Sequence, residues 1–317
     1  MFLHALTLSP RPLRPWPGGL ASLTPLEGGW SGETFLAEAA GERQVVRVYA
    51  RPRPGREHAH EVDASLLRLV RGLLPVADVL EARRADPASG MPALLVTSML
   101  PGERGDLVLP RLDDEGLARL GRAVGEVVAT LGGIAMLRPG AFVDGDLTLG
   151  DLGAPDGLPE WVAAHEDALA HWPQRELQGL REVALDAQAL LDTVARTCLV
   201  HGDLNPKNLL VDPGSLAVTG VVDWEYAHAG HPFTDLGNVL RFDRQPAYVE
   251  AVLGVYTDRL GAAPHAALAL ARAADLWALV DLAGRRAENP VAARAERLLR
   301  AVARSGDLHA EAGGREE

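Results

Sequence analysis

The chain has one cysteine, Cys198, in 317 residues. A single thiol excludes an intramolecular disulfide and any zinc site built on several cysteines, and it fits a reducing compartment. No stretch of about 18 uncharged apolar residues occurs, the length a membrane-crossing helix needs, and no basic segment followed by a long apolar run opens the chain. Neither export nor a membrane partner is expected, and the expected location is the cytoplasm. Positive charge is short as well: 31 Lys and Arg against 43 Asp and Glu leave a net charge of −12. A nucleic-acid binder needs a basic face for phosphate contacts, so nucleic acid is not an expected partner. Lysine is almost missing. Lys207 is the sole example, every other basic residue being arginine.

What remains is an ordinary globular composition, 47% hydrophobic and 23% charged, on a chain long enough for two lobes. Pro10 to Pro17 reads as part of an extended arm over residues 1–19. Short strands and tight turns dominate 20–100, helical periodicity dominates 101–305, and the polar end GDLHAEAGGREE, 306–317, reads as a mobile tail.

The most informative stretch is 201–227, HGDLNPKNLLVDPGSLAVTGVVDWEYA. Asp203 is followed by Asn208, and an apolar run leads to Asp223. Thr197 to Val200, Leu209 to Val211 and Val218 to Val222 read as short buried strands framing a polar loop. Phosphoryl transfer asks a protein to position an acceptor hydroxyl, to hold magnesium on nucleotide phosphates with hard oxygen ligands, and to neutralise charge as the bond breaks. Asp203 suits the first task, Asn208 and Asp223 the second. A lone Asp would more simply be a turn residue or a helix cap. Three such groups at this spacing inside an apolar frame are not explained that way. His201 reads as a hydrogen-bonded packing residue rather than a base. Lys207 is either a solvent-facing bystander or a contact to the travelling phosphoryl group.

The HGDLNPKN and VVDWE segments resemble those of the aminoglycoside phosphotransferase and choline kinase family, the small-molecule branch of the protein-kinase-like fold. That resemblance implies an α+β, bilobal fold: a small antiparallel-sheet N-lobe that binds nucleotide and a larger, mostly helical C-lobe with the catalytic loop and acceptor site. It makes Asp203 the catalytic aspartate and Asn208 and Asp223 the magnesium ligands. It makes Asp235 of HPFTDLG a brace for the catalytic loop. The family's Leu-His pair after the first long helix is absent here, where Leu131 is followed by Gly132 and Gly133.

For the nucleotide, ATP or GTP, the resemblance points to the turn GGWSG, whose Gly28, Gly29, Ser31 and Gly32 would let backbone amides approach phosphate oxygens. By itself a Gly-rich hairpin is only a turn. Arg47, on the strand Gln44 to Tyr49, takes the place of the kinase lysine, and a guanidinium can grip phosphate oxygens bidentately. Glu61, with Glu57 as rival, would pair with Arg47 from a helix over Glu57 to Arg71 whose stripe is Val62, Leu66, Leu69 and Leu73. Backbone groups at Ser98 and Leu100, after the buried strand Ala93 to Met99, would meet the base.

In the second lobe Leu117, Leu120, Val124, Val127 and Leu131 mark one helix, and further periodicity runs through 180–195, 247–260, 266–287 and 291–303. Residues 139–174 hold Asp144, Asp146, Asp151, Asp156, Glu160, Glu166 and Asp167 with no Lys or Arg. Such a segment is either a solvated acidic loop or a lip that draws a cationic acceptor. Trp161 and Trp172 read as packing residues. The expected function is an ATP-dependent phosphotransferase acting on a hydroxyl of a small molecule such as an aminoglycoside or another cationic antibiotic. The alternatives are a metabolic kinase of homoserine, choline, methylthiosugar or fructosamine type, and a nucleotide-binding pseudoenzyme.

Overall fold

The computed structural model of the chain describes residues 22–26, 33–39, 42–50, 56–261 and 263–312. The Pro-rich arm, Gly28, Gly29, Ser31 and Gly32 lie outside the described residues, as do 313–317. The chain clusters into two compact units, Met1–Arg51 with Val79–Met99, and Pro52–Asp78 with Leu100–Glu317.

The first unit is a five-stranded antiparallel sheet. Its strands are β1 (Ser22–Pro25), β2 (Glu33–Ala39), β3 (Glu42–Tyr49), β4 (Val79–Arg83) and β5 (Ala93–Ser98), in the order β1-β2-β3-β5-β4. The period of two decides the faces. Val46 of β3 joins Ala37, Leu94 and Val96 in a buried cluster, with Val48 packed against it. Arg47 therefore falls on the opposite face, level with Thr34 of β2 and Leu95 of β5. β5 has neighbours on both sides, and its apolar run is buried from Ala93 to Val96.

In the second unit α1 (Ala59–Val70) comes first. Only part of its expected stripe is buried. Val62 and Leu66 are, but Leu69 and Leu73 are exposed, and Leu67 and Val70 take their place. Arg71 leaves helical geometry and Gly72 has φ +81°, so Leu73 lies beyond the helix, while Leu69 lies within it on the exposed side. A two-residue strand β6 (Glu103–Arg104), a single turn α2 (Gly105–Val108) and the long α3 (Asp114–Gly133) follow. The Asp113 side chain caps α3 by accepting from Gly116 N at 2.9 Å. All five expected stripe residues of α3 are buried.

Short strands β7 (Ala135–Met136) and β8 (Gly140–Ala141) precede α4 (Leu158–His165) and α5 (Gln174–Leu191). Then come β9 (Thr197–Val200), β10 (Leu209–Val211), β11 (Val218–Val221) and β12 (His228–Gly230). These strands form two small sheets, β11-β10-β6 and β7-β9-β12-β8. The chain then continues through α6 (Thr234–Leu240), α7 (Pro246–Leu260), α8 (Pro264–Gly284) and α9 (Pro290–Ser305).

Two glycines set how α3 meets α7. A Cβ at Gly121 would stand 2.8 Å from Tyr248 O, and one at Gly125 would stand 3.0 Å from Val252 O, so side chains there would push the helices apart. Asn289 caps α9, accepting from Ala292 N at 2.9 Å. Beyond α9 the chain is still held, Arg244 Nη1 donating to Ala310 O at 2.7 Å. Among the described residues no helix is long and apolar enough to cross a membrane.

Candidate active site

The polar loop sits between β9 and β10, and buried groups fix both its ends. At the start, Asp235 in the first turn of α6 accepts from His201 N at 2.8 Å and from Gly202 N at 3.0 Å. Its carboxyl is 3% exposed. Burial pushes its pKa above the usual carboxylate range, opposed by His201 and by the two N–H donors. The aspartate expected to brace the loop thus does so, through the backbone. Gly202 has φ +82°, and a Cβ there would lie 2.4 Å from Tyr226 O, so the bend requires glycine on both counts.

His201 is fully buried, as a packing residue should be. Its Nε2 lies 3.0 Å from Val222 O, and its Nδ1 accepts from Asp203 N at 3.3 Å. Both ring nitrogens are thus engaged within the loop and its neighbouring strand end. The ring centroid lies 4.8 Å from that of Trp224.

Asp203 is held from both sides. Its Oδ1 accepts from Asn205 Nδ2 at 2.6 Å and its Oδ2 from Asn208 Nδ2 at 2.9 Å. Asn208 Nδ2 also donates to Asp203 O at 2.8 Å. The loop closes in a 3-10 turn, Pro206–Asn208, whose first N–H donor, Lys207 N, is accepted by Asn205 Oδ1 at 3.2 Å. Gly105 backs this turn, since a Cβ there would come within 2.8 Å of Pro206 O. Lys207 Nζ stands 3.4 Å from Asp203 Oδ2, with its side chain 47% exposed.

Asp223 joins the loop through the backbone. Val222 N donates to Asn208 O at 3.0 Å, continuing the β10–β11 pairing by one step. Asp223 follows at φ +65° and ψ +63°, a left-handed conformation uncommon for a non-glycine residue and characteristic of functional turns. The donor chemistry fits a divalent cation such as magnesium. Asn208 has committed its amide nitrogen to Asp203, leaving the amide oxygen as a hard ligand, and Asp223 supplies a carboxylate from the neighbouring backbone position.

The remaining expected residues are distributed over the two units. Arg47 lies on β3, its guanidinium carbon 5.5 Å from the Tyr49 ring centroid. Ser98 ends β5 opposite Gln44. Leu100 belongs to the second unit, where the next residue, Pro101, accepts from Thr219 Oγ1 at 2.7 Å. Glu61 is in the first turn of α1, its Oε2 3.1 Å from His58 Nδ1. Its rival Glu57 lies before that helix.

The acidic segment turns much of its charge on itself. Asp144 Oδ1 accepts from Asp146 N and Thr148 N, both at 3.0 Å, and the Thr148 donor draws its pKa down. Asp151 Oδ1 accepts from Gly153 N at 2.9 Å, and Glu166 pairs with Arg181 at 2.7 Å. Trp172 is 3% exposed and donates to Glu296 Oε1, while Trp161 Nε1 donates to Trp277 O at 3.0 Å. Both tryptophans pack the segment onto helices.

Sequence reasoning missed Asn205 and a buried ion pair. Asn205 bridges Asp203 and the 3-10 turn, and the Asn-Pro step at 205–206 is the turn signal that could have revealed it. Arg241, just past α6, donates from Nη2 to Asp275 Oδ1 of α8 at 2.7 Å, both side chains being buried. Burial opposes the arginine's charge, but the Asp275 carboxylate outweighs it and holds the guanidinium pKa above its ordinary value. Nothing local in the sequence connects those positions.

Comparison with known proteins follows the same lines. Over 53 residues, 17% of this chain and 7% of the other, the sequence is 42% identical to acyl-CoA dehydrogenase family member 11 of Mus musculus, so the match spans a small fraction of that relative's length. Among solved structures, a thermostable mutant of aminoglycoside phosphotransferase APH(4)-Ia in complex with ADP and hygromycin B superposes with a TM-score of 0.62 at 19% identity, covering 91% of this chain and 95% of that one. The GDP and kanamycin complex of APH(2″)-IIIa gives a TM-score of 0.66 at 18% identity, covering 91% and 95%. These likenesses establish an α+β, kinase-like fold, an N-terminal antiparallel sheet followed by a mostly helical part. The model of the phosphotransferase enzyme family (APH) matches residues 22–276, which include the whole Asp203–Asp223 loop system, and the chain belongs to that family of small-molecule phosphotransferases.

Proposed function

We propose that the protein transfers the γ-phosphoryl group of ATP or GTP to a hydroxyl of a small molecule, with Asp203 as the catalytic aspartate and Asn208 and Asp223 holding magnesium. The observation that carries this reading is the set of bonds that ties these three positions together: the Asn208 amide donates to Asp203, and the Asn208 carbonyl accepts from the residue before Asp223.

The chemistry follows from that coupling. The two asparagine amides fix the plane of the Asp203 carboxylate, which accepts the hydrogen of the acceptor hydroxyl and aligns its oxygen on phosphorus. The acceptor oxygen bonds to the γ-phosphorus, the bond from phosphorus to the β-bridging oxygen breaks, and the nucleoside diphosphate leaves with that electron pair. Bound magnesium supplies charge neutralisation on the phosphates. Gly28, Gly29, Ser31 and Gly32 are assigned to the phosphates through their amides, Arg47 to the α and β oxygens, Glu61 to orienting Arg47, and the backbone at Ser98 and Leu100 to the base. These assignments rest on the family resemblance.

For the acceptor, the acidic segment supports a cationic antibiotic such as an aminoglycoside, through its exposed Asp146, Asp156, Glu160 and Asp167. The engagement of Asp144, Asp151 and Glu166 within their own surroundings favours the second reading, a metabolic acceptor that needs no acidic lip.

Nucleotide consumption against a panel of cationic antibiotics and hydroxylated metabolites tests the reading. Asp203→Asn should lower turnover by about 10³-fold, within the range for a lost general base, and leave nucleotide affinity nearly unchanged. Asp223→Asn should remove the magnesium dependence of nucleotide binding. Undiminished turnover in the first variant, or undiminished magnesium dependence in the second, defeats the corresponding assignment.

A further inference from the structure

We infer that Lys207 is a catalytic residue, its ammonium contacting the non-bridging oxygens of the phosphoryl group during transfer. This rests on the phosphotransfer reading of the Asp203 loop and extends it to a residue with no assigned role.

Position comes first. Lys207 sits in the middle of the 3-10 turn between Asp203 and Asn208, with its backbone N–H accepted by Asn205 and the turn backed by Gly105. The root of the side chain is thus as firmly placed as the carboxylate it neighbours. The ammonium is paired only at the edge of the Asp203 carboxylate among the described residues. It stands 3.4 Å from Asp203 Oδ2, longer than the roughly 2.7–2.9 Å of a charge-assisted hydrogen bond, so the contact is an ion pair and not a tight hydrogen bond. The side chain is about half exposed and carries three donors on a flexible stem, so it can swing from the carboxylate edge to an incoming phosphoryl oxygen at little cost.

Among the described residues, two other cations of this unit are already paired. Arg241 is buried against Asp275, and Arg104 pairs with Asp106 at 2.6 Å. In the transfer step negative charge spreads over the three non-bridging oxygens as the acceptor oxygen bonds to phosphorus and the diphosphate departs. A mobile ammonium beside the base is suited to that charge. It takes no proton, which goes from the hydroxyl to Asp203.

Because this is the chain's sole lysine, the test is unusually clean. Lys207→Ala and Lys207→Arg are compared with wild type and Asp203→Asn for ADP formation, with the best acceptor found or with water as acceptor. The alanine variant should lose about 10²-fold in kcat, the scale for removing one donor aimed at developing charge, while the KM for ATP moves less than about threefold, and arginine should restore most of the rate. Since the position is half exposed, thermal unfolding of the variants should match wild type. A second measurement needs no turnover: amine acetylation followed by mass spectrometry can modify only Lys207 and the chain's α-amino group. Magnesium, ADP and aluminium fluoride, a mimic of the transferring phosphoryl group, should protect Lys207, and magnesium with ADP alone should not. Wild-type kcat in Lys207→Ala, or equal acetylation with and without aluminium fluoride, overturns the inference. Turnover surviving in Asp203→Asn overturns the parent reading instead, so the two failures are distinct.

Discussion

Two glycine-containing segments of the second unit behave in opposite ways. In 201–208, side chains reach across the loop to one another: Asn205 and Asn208 hold Asp203, and Asp235 reaches in from α6 to hold the backbone. In 139–174, carboxylates fold back on nearby partners, Asp144 and Asp151 on their own turns and Glu166 on Arg181. The first loop has fewer acids yet is the better candidate site. Acid count measures solvation and long-range field, whereas chemistry needs side chains fixed relative to one another.

The most severe way to break the contrast is to remove the bend that makes convergence possible. Gly202→Ala puts a side chain into positive φ, at a cost of about 1–3 kcal/mol, and aims its Cβ at the Tyr226 carbonyl. The urea midpoint should fall by the equivalent of at least about 2 kcal/mol and turnover should vanish. A variant of unchanged stability and activity would mean that the loop tolerates another path.

A smaller effect is expected from the other loop. Neutralising Asp146, Asp156, Glu160 and Asp167 together as Asn or Gln should raise KM for a cationic acceptor such as kanamycin by about three- to tenfold, the scale of a few exposed charge contacts, with kcat preserved. If KM stays put for every cationic acceptor, the segment is solvated surface and the metabolic reading gains.

The smallest signal reports on the scaffold under the first loop. Cys198 lies in β9, three residues before His201, and burial pushes its thiol from an ordinary 9.0 up to about 12. At pH 8 the native protein should resist iodoacetamide, with modification rising only on unfolding. The raised value in the folded state means that this thiol's contribution to stability is whole below pH 9 and is lost as pH climbs toward 12. Rapid labelling at pH 8 would show that β9 opens readily.

Much of this was legible beforehand. The strands Thr197–Val200 and Leu209–Val211 fall where the apolar runs placed them, and α3 buries the stripe its periodicity announced. Such signals are local: one face of an element records its own burial in its own spacing. Elements too short for a period were not legible. β6 is two residues long and exists because β10 pairs with it, and β12 is three residues bonded to β9 and β8. The stripe of α1 was misplaced at Leu73, which lies past the left-handed Gly72 that follows the helix end, and at Leu69, which falls on the exposed side of the helix.

From the sequence alone came the family resemblance, the choice of Asp203, Asn208 and Asp223 as candidate residues, and the order of the main strands and helices, because spacing and residue type are properties of the chain itself. Only the tertiary structure decided that Asp235 braces the loop through the His201 and Gly202 N–H groups, that Asn205 is the second clamp on Asp203, and that Arg241 and Asp275 find each other across 34 positions. Those contacts depend on how separate elements pack. Packing selects from many geometrically allowed partners the few that leave buried charge and buried N–H groups satisfied.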